Sequence, residues 1–328
     1  MLRMPTFQVH SPKTAADAVR LRTELPNAMY VAGGTDLLPN LKHQLHQPEH
    51  LVSLLEIQDL RGIHADADGT LTLGSGTTLF EVETSPVIMS SIPGLSQAAG
   101  SVAAPQHRRM GTMGGNILLD TRCLFYNQSA EWRHALGYCL KRDGDWCHVM
   151  GTPKACVAAQ SSDTVPILTA LGASILWTSP DGAGSTRLAD LYGKDGRFDQ
   201  VHQIPHTSLI TGIRIPPRPA GHRSVHCKVR ARQAVDYAQL SIGIVASVSG
   251  NILDSLEIVV GALLPQPKII ALDGIAGQPL GPELAAAVAE RVYKQVKPQT
   301  SIHGSPEWRR HMARVEVRRA IEGFAPHT

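Results

Sequence analysis

Four cysteines in the middle of the chain are the residues whose type and spacing most clearly indicate chemistry. Cys123, Cys139, Cys147 and Cys156 fall within 34 residues, whereas the fifth cysteine, Cys227, stands apart. The chain begins Met-Leu-Arg-Met-Pro without a recognisable secretory leader, so we expect a cytoplasmic protein. Thiols stay reduced in that compartment, where a cysteine cluster more often binds a metal than forms disulfides.

The spacing of the cysteines helps to distinguish zinc from an iron–sulfur cluster as the bound metal. Fifteen, seven and eight residues lie between successive cysteines, and the CxxC or CxxH pairs typical of zinc sites are absent from the sequence. A [4Fe–4S] cluster needs four thiolates, and their spacing varies widely between protein families. We therefore predict that these four cysteines bind one [4Fe–4S] cluster, with four buried thiols that hold no metal as the alternative. Cys227 lies among alternating apolar and polar residues and is predicted to belong to the core.

Two glycine-rich turns are candidates for binding the phosphates of a ligand. The segment Val31–Leu38 contains paired glycines and Thr35, and Gly111–Asn116 has three glycines in its first five residues. Glycines let backbone N–H groups approach an anion closely, and a helix that starts there adds a favourable dipole. Taken alone, the first segment is better explained as an ordinary capped turn, and the second is weak support. Neither matches GxGxxG, so a Rossmann dinucleotide site is not predicted.

A basic segment lies in the last third of the chain. Lys228–Arg232 is followed by Asp236. These side chains could face a flavin or its phosphates, and a solvated strand edge explains the same spacing equally well.

The elements that must position these residues alternate between short apolar strands and helices over the first two-thirds of the chain. This alternation indicates an α/β or α+β fold. Three prolines in residues 214–222 cannot extend a helix or a central strand and indicate a linker. Beyond it, residues 238–249 fit a strand or a helix, and apolar spacing predicts helices at Leu280–Val296 and Trp308–Phe324.

Length and charge exclude several classes of protein. The 328 residues suffice for two or three domains with a large core. A net charge of +3 gives no electrostatic case for nucleic-acid binding. No apolar run approaches the length needed to cross a bilayer, so we expect no membrane span.

Taken in order, these segments resemble the FAD-binding (medium) subunit of the molybdenum hydroxylase family, which includes xanthine dehydrogenase and CO dehydrogenase. The matching segments cover most of the chain and are Val31–Leu38, Gly111–Asn116, Ser162–Asp163 with Pro166, Ile213–Pro216, and Lys228 with Arg232 and Asp236. In typical members the second glycine turn runs almost directly into the Ser-Asp segment. Here about 40 additional residues intervene and contain all four clustered cysteines. That insertion is similar to one in the beta subunit of 4-hydroxybenzoyl-CoA reductase, where it carries a [4Fe–4S] cluster.

The resemblance implies an α+β fold in two domains. Residues 1–217 would form a two-lobed FAD-binding domain of the vanillyl-alcohol-oxidase (PCMH) type, with residues 117–160 as an iron–sulfur loop insertion. Residues 222–328 would form a C-terminal α+β domain of the CO dehydrogenase flavoprotein type.

The resemblance also implies which residues bind the cofactors. The first turn would hold the FAD pyrophosphate, the second would close over it, Asp163 would bind the ribose or adenine side, and three further residues would lie near the flavin. The implied FAD-binding residues are Val31, Ala32, Gly33, Gly34, Thr35, Asp36, Leu37, Val102, Thr112, Gly114, Gly115, Asn116, Asp163, Ile210 and Lys228. The four clustered cysteines would be the metal ligands.

We therefore expect an oxidoreductase subunit that transfers electrons through FAD and a [4Fe–4S] cluster, without a catalytic side chain of its own. By resemblance, its partners would be a large subunit with the molybdenum cofactor and a small [2Fe–2S] subunit, together forming a heterohexamer. The complex would remove a phenolic hydroxyl reductively from an aromatic acyl-CoA during aromatic degradation, with ferredoxin as electron donor. One alternative is the flavin subunit of a xanthine, aldehyde or CO dehydrogenase-type hydroxylase. A second is a zinc-stabilised scaffold subunit without flavin.

Overall fold

The computed structural model describes residues 3–219 and 221–325, so the outer limits of the two expected domains, residues 1 and 328, lie outside the described residues. The described chain is a mixed α and β structure with three separate sheets, as the alternation of elements predicts. Within this part of the chain, none of the helices has the length and apolar character needed to span a membrane.

The first sheet is small and parallel, and it carries the first glycine-rich turn. Its elements are the strands β1 (Gln8–His10), β2 (Ala28–Val31) and β3 (His50–Ser53) and the helices α1 (Ala15–Glu24) and α2 (Leu37–Lys42). The strand order is β1–β3–β2, and a helix connects each successive pair because parallel strands need a crossover. Thr14 caps α1 by accepting a hydrogen bond from the Asp17 N–H at 3.1 Å.

The second sheet is antiparallel, and its helices carry the second glycine-rich turn. Its strands are β4 (Ile63–Ala65), β5 (Leu71–Gly74), β6 (Ser174–Ser179), β7 (Gly182–Arg187) and β8 (Leu209–Ile215). Its helices are α3 (Leu79–Thr84), α4 (Pro86–Ser91), α5 (Pro93–Gly100), α6 (Pro105–Arg108), α7 (Met113–Ile117), α8 (Ala130–Leu136) and α9 (Thr164–Ala170), with 3-10 turns at Gln58–Leu60 and Leu188–Asp190. The order is β4–β5–β8–β6–β7, and the chain leaves the sheet after β5 and returns at β6. The cysteine segment lies within this excursion.

The third sheet is an antiparallel meander that packs against two long helices. Its elements are β9 (His222–Val229), β10 (Leu240–Ser249), β11 (Ile252–Gly261), β12 (Lys268–Ile269), α10 (Pro282–Gln295) and α11 (Pro306–Glu322). The segment that fitted either a strand or a helix is the strand β10. Its run of apolar residues is continuous because helices α10 and α11 cover one face and α9 lies on the other.

Glycines allow the third sheet to lie directly against helices α5 and α9. A Cβ atom on Gly243 of β10 would lie 2.4 Å from the backbone nitrogen of Ile167 in α9. A Cβ on Gly94 of α5 would similarly lie 2.9 Å from the backbone nitrogen of Val225 in β9. All seven residues of α9 are buried, so that helix has no free space into which it could retreat. These contacts fix the position of the third sheet relative to helices α5 and α9.

We predict that Gly243→Ala lowers the free energy of unfolding by about 3 kcal/mol, because the added methyl group would overlap backbone rather than a movable side chain. Thermal or urea unfolding measures the change. Gly281→Ala is the matched control, because its backbone is extended and its Cβ would meet no atom within 4 Å. Equal stability of the two variants would contradict this account of the interface.

Candidate functional site

A cavity of about 750 Å³ is lined by residues from all three sheets and from the loops that connect their elements. All fifteen residues that the resemblance assigned to a cofactor line this one cavity, although they come from widely separated parts of the chain. Residues of the basic segment, Lys228 and Arg232, line it too, together with Asp236. The structure therefore brings the predicted residues together around a single space of the size that takes an extended small-molecule ligand.

The first glycine turn is shaped by its contact with the second. A Cβ on Gly33 would lie 1.8 Å from the carbonyl oxygen of Met110, directly before the second turn. Gly34 has φ of +70°, in the left-handed region that favours glycine, and its carbonyl accepts from the Leu38 N–H at 3.0 Å. The paired glycines are thus required by close packing and by backbone conformation. Gly33 faces the neighbouring backbone, so a side chain at this position would push the two turns apart.

The second glycine turn is tied down from three sides. The hydroxyl of Thr112 accepts from the Gly115 N–H at 3.2 Å, and the Gly114 N–H donates to the carbonyl of Ser75 at 2.8 Å. The amide oxygen of Asn116 accepts from the hydroxyls of Ser162 and Thr164, at 2.6 and 2.7 Å. The Asn116 side chain therefore anchors the turn to the start of α9 while it lines the cavity.

Buried polar atoms without a protein partner line the cavity. They are His107 Nδ1, Ser161 Oγ, Asp163 Oδ1, His202 Nε2 and Ser208 Oγ. Leaving such atoms unpaired in the interior costs free energy, so they indicate a ligand that donates and accepts hydrogen bonds. Five glycines of the two turns also line this cavity, so backbone rather than side chains forms that part of its wall: Gly33, Gly34, Gly111, Gly114 and Gly115. Both features fit a ligand with hydroxyl groups, phosphates and ring nitrogens, and FAD carries all three.

Asp163 has the most constrained environment of these residues. Its Oδ2 accepts from the Lys228 ammonium at 2.6 Å, and both side chains are about 95% buried. Burial raises the pKa of Asp163 to about 6, and the nearby Lys228 opposes that rise. Because Lys228 occupies one oxygen, the other oxygen is left to accept from a ligand hydroxyl.

The charge around the cavity favours an anion. Each lining carboxylate faces a basic partner, in the pairs Asp36–Arg122, Asp120–Lys141, Asp163–Lys228 and Asp236–Arg232. Three further lining arginines, Arg22, Arg61 and Arg109, form no salt bridge with any described residue. The cavity therefore keeps uncompensated positive charge, which suits a ligand that carries phosphates.

The four clustered cysteines line a second, small cavity. Cys123, Cys139, Cys147 and Cys156 are each less than 10% exposed, and all are free thiols. Burial raises the pKa of Cys123 to about 11 and that of Cys156 to about 12, so in the absence of a cation these thiols stay protonated. The structure thus brings the four predicted ligands together. In the described part of the chain, His, Cys, Asp and Glu side chains form no group of three or more that could hold a single metal ion.

Several cavity residues were missed from the sequence. His46, Asp120, Phe198, His202 and Tyr237 line the large cavity from loops that no motif marks. Burial lowers the pKa of His202 to about 4, so its imidazole is neutral near pH 7. Asp120 lies three residues before the first clustered cysteine, but this proximity alone indicates no role.

Comparison with known proteins gives matches over nearly the whole chain. A family model described as the FAD binding domain in molybdopterin dehydrogenase matches residues 5–218, and one described as the CO dehydrogenase flavoprotein C-terminal domain matches residues 226–324. The carbon monoxide dehydrogenase medium chain of Afipia carboxidovorans is 30% identical over 325 residues, which is 97% of this chain and 96% of that protein. A putative xanthine dehydrogenase FAD-binding subunit of Escherichia coli strain K12 is 26% identical over 315 residues, 95% of this chain and 94% of that protein.

A solved structure gives the same result. The cyanide-inactivated form of Cu,Mo-CO dehydrogenase contains a chain that aligns with a TM-score of 0.79 and 28% identity, covering 98% of each chain. The FAD-binding family model alone spans well over half of the sequence. This protein therefore belongs to the FAD-binding medium subunits of the xanthine and CO dehydrogenase-type molybdenum hydroxylases, which are oxidoreductase subunits.

Proposed function

We propose that this chain carries FAD in the large cavity and a [4Fe–4S] cluster in the cysteine cavity, and that it transfers electrons between them within a molybdenum-dependent complex. One observation carries the proposal: the predicted FAD-binding residues line one cavity and the four clustered cysteines line another. The short segment from Asp120 to Cys123 connects the linings of the two cavities. The fold would be a two-lobed domain of the vanillyl-alcohol-oxidase (PCMH) type over residues 1–217, followed by a C-terminal domain over residues 222–328.

The fit of FAD rests on the chain's own residues. The two glycine turns line the part of the cavity where the pyrophosphate would lie, and the arginines without carboxylate partners would balance its charge. Asp163 would accept from a ribose hydroxyl, Ile210 and Val102 would pack against apolar parts of the cofactor, and Lys228 would hold Asp163 in place. FAD supplies one- and two-electron chemistry when bound, and these residues bind and orient it without taking or giving a proton.

The fit of a cluster rests on the four cysteines. Buried, unpaired thiols that surround one cavity are costly as thiolates unless a cation stabilises them. A single zinc ion would draw four sulfurs to within about 2.3 Å of one point. The sequence lacks the CxxC or CxxH pairs typical of zinc sites, which favours the cluster over the zinc-stabilised scaffold. The cluster, when bound, supplies one-electron transfer.

The complex that contains this chain is proposed from the relatives. The relatives are medium or FAD-binding subunits of dehydrogenases and an oxidoreductase, which favours the flavin subunit of a xanthine, aldehyde or CO dehydrogenase-type hydroxylase. The partners would then be a large molybdenum subunit and a small [2Fe–2S] subunit.

A second candidate is a reductase of the 4-hydroxybenzoyl-CoA type, with ferredoxin as electron donor. The cysteine cavity favours it, because a cluster beside the flavin provides a route for electrons from a low-potential donor. The purified complex distinguishes the two candidates. A hydroxylase reduces its acceptor when given a heterocycle, an aldehyde or CO. A reductase consumes reduced ferredoxin when given an aromatic acyl-CoA with a phenolic hydroxyl.

We predict that Cys147→Ser removes most of the iron and acid-labile sulfide from anaerobically purified protein, because a serine oxygen is a poor ligand for iron in such a cluster. Iron analysis and the visible spectrum measure the loss. Cys227→Ser is the matched control, because this half-buried cysteine lies on β9 outside the cysteine cavity and should leave the iron content unchanged. Stoichiometric zinc without acid-labile sulfide in the unmodified protein would refute the cluster.

We predict that Gly34→Val weakens FAD binding at least tenfold. A β-branched residue at φ of +70° is strained by roughly 1–2 kcal/mol, and its Cβ would lie 3.0 Å from Leu38, so the first turn must change shape. Flavin fluorescence titration of the apoprotein measures the affinity. Gly250→Val adds similar backbone strain at φ of +63° in a turn remote from the cavity and should retain FAD. Full FAD affinity in folded Gly34→Val would exclude this turn as a binding element.

We predict that this chain co-purifies with a large molybdenum-containing subunit and a small iron–sulfur subunit when all three are co-expressed, because its relatives are the medium or FAD-binding subunits of larger enzymes. Size-exclusion chromatography with metal analysis tests the assembly. Turnover of substrate by this chain alone, in the absence of molybdenum, would contradict the assignment as an electron-transfer subunit.

A further inference from the structure

One buried ion pair lies between the large cavity, here called the flavin cavity because we propose that it holds FAD, and the cysteine cavity. Asp120 lines the first cavity and Lys141 lines the second. The Lys141 ammonium donates to Asp120 Oδ1 at 2.6 Å, to the Thr121 carbonyl at 2.8 Å and to the Gly196 carbonyl at 2.9 Å. The carbonyl contacts fix the position of the ammonium, and Lys141 lines only the cysteine cavity of the two.

Two aromatic residues complete the surroundings of the pair. The Tyr126 hydroxyl donates to the other oxygen of Asp120 at 2.7 Å, and its ring lies 4.4 Å from the Lys141 nitrogen. His46, which also lines the flavin cavity, approaches Asp120 to 3.5 Å. Tyr126 belongs to the same buried cluster as three of the cysteines. The pair is therefore packed between the two sites by residues that belong to each.

Both side chains of the pair are shielded from water. The side chains of Lys141 and Asp120 are 1% and 6% exposed. Burial alone would raise the pKa of Asp120, but the Lys141 charge and the hydrogen bonds from His46 and Lys141 hold it well below its ordinary range. Charges in such an environment are screened weakly, so they act on neighbouring groups more strongly than surface charges do.

We propose that the Asp120–Lys141 pair is a fixed dipole that sets the difference between the reduction potentials of the two cofactors. Its positive end faces the cysteine cavity, where an ammonium stabilises the extra negative charge of a reduced cluster and raises its potential. Its negative end faces the flavin cavity, where a carboxylate opposes the gain of an electron and lowers the flavin potential. The pair thereby narrows the potential drop that drives electrons from the cluster to the flavin.

The proposal rests on the proposed function, since it concerns both cofactors, but it assigns a role that neither ligand set contains. Lys141 and Asp120 would act on the two cofactors through their charges, and they are ligands of neither cofactor. A merely structural role predicts a change in stability alone, whereas a dipole predicts shifts of opposite sign at the two cofactors. Potentials measured on the loaded protein separate these possibilities without recourse to turnover.

The test is the double variant Asp120→Asn/Lys141→Gln, which removes both charges and leaves the net charge unchanged. The new asparagine still accepts from Tyr126, and the new glutamine still donates to neighbouring carbonyls. Midpoint potentials are measured by anaerobic redox titration, with the visible spectrum for the flavin and electron paramagnetic resonance for the cluster. We expect the cluster potential to fall and the flavin potential to rise. Unchanged potentials, or shifts of the same sign, would overturn the proposal.

The control neutralises another ion pair in the same way. Glu83→Gln/Arg108→Gln removes a partly buried pair with an N–O distance of 2.7 Å whose residues line neither cavity, and both potentials should stay unchanged. If the first double variant fails to fold, Asp120→Asn alone decides the question, because it leaves the ammonium in place. The flavin potential then rises if the proposal holds and stays unchanged if it does not.

The outcomes also separate this inference from the function on which it rests. Wild-type protein without iron and acid-labile sulfide would refute the cluster. The effect of Asp120 on the flavin would still be measurable in that protein. An iron-loaded wild type whose two potentials ignore the pair would instead retain the proposed function and refute the dipole.

Discussion

The contact between α9 and the C-terminal sheet is the constraint on which the geometry of the large cavity depends. The helix is buried along its whole length, and Gly243 lets β10 approach its backbone without an intervening side chain. At the start of this helix, Asn116 accepts hydrogen bonds from Ser162 and Thr164, which fixes the second glycine turn to the same point. Asp163 and Lys228, from the two sides of the contact, consequently meet at 2.6 Å.

The cysteine segment is held to this frame by buried cations. Arg133 is 2% exposed and donates to the carbonyls of His43 and Gln44 at the end of α2, at 3.1 Å each. Arg122 pairs with Asp36 beside the first glycine turn, and its guanidinium lies 3.7 Å from the Tyr237 ring centroid. Because these cations reach elements that line the large cavity, the cysteine segment packs directly against the wall of that cavity.

The two cavities therefore differ in the charge of the residues that line them. The large cavity leaves arginines without carboxylate partners, which suits an anionic cofactor that is bound from solution. The cysteine cavity is lined by uncharged thiols, and Lys141 is the cation on its wall, with its charge shared with Asp120. The Asp120–Lys141 pair lies between the two cavities, because Asp120 lines the first and Lys141 lines the second.

The family-level assignment was accessible from the sequence because its signals are local. Paired glycines, a Ser-Asp segment and a proline-rich linker keep their meaning wherever the chain places them, and the helices at the C-terminus follow from apolar spacing alone. The long helices lie at Pro282–Gln295 and Pro306–Glu322, within two residues of the predicted bounds. The insertion over residues 117–160, which the resemblance implies from the longer distance between two family segments, stays a prediction. The finer comparison with 4-hydroxybenzoyl-CoA reductase stays a prediction.

Features that depend on contacts across the chain were decided only by the tertiary structure. Residues 238–249 form a strand rather than a helix because helices cover both of its faces, and a continuous apolar run is compatible with either element until its neighbours are known. The reason for Gly33 is the carbonyl of Met110, some 77 residues further along the chain. The pairing of Asp120 with Lys141 likewise spans 21 residues. The sequence by itself determined which residue types were available for phosphate, flavin and metal binding, whereas the fold determined which of them meet, because burial and hydrogen-bond partners exist only once distant segments are packed together.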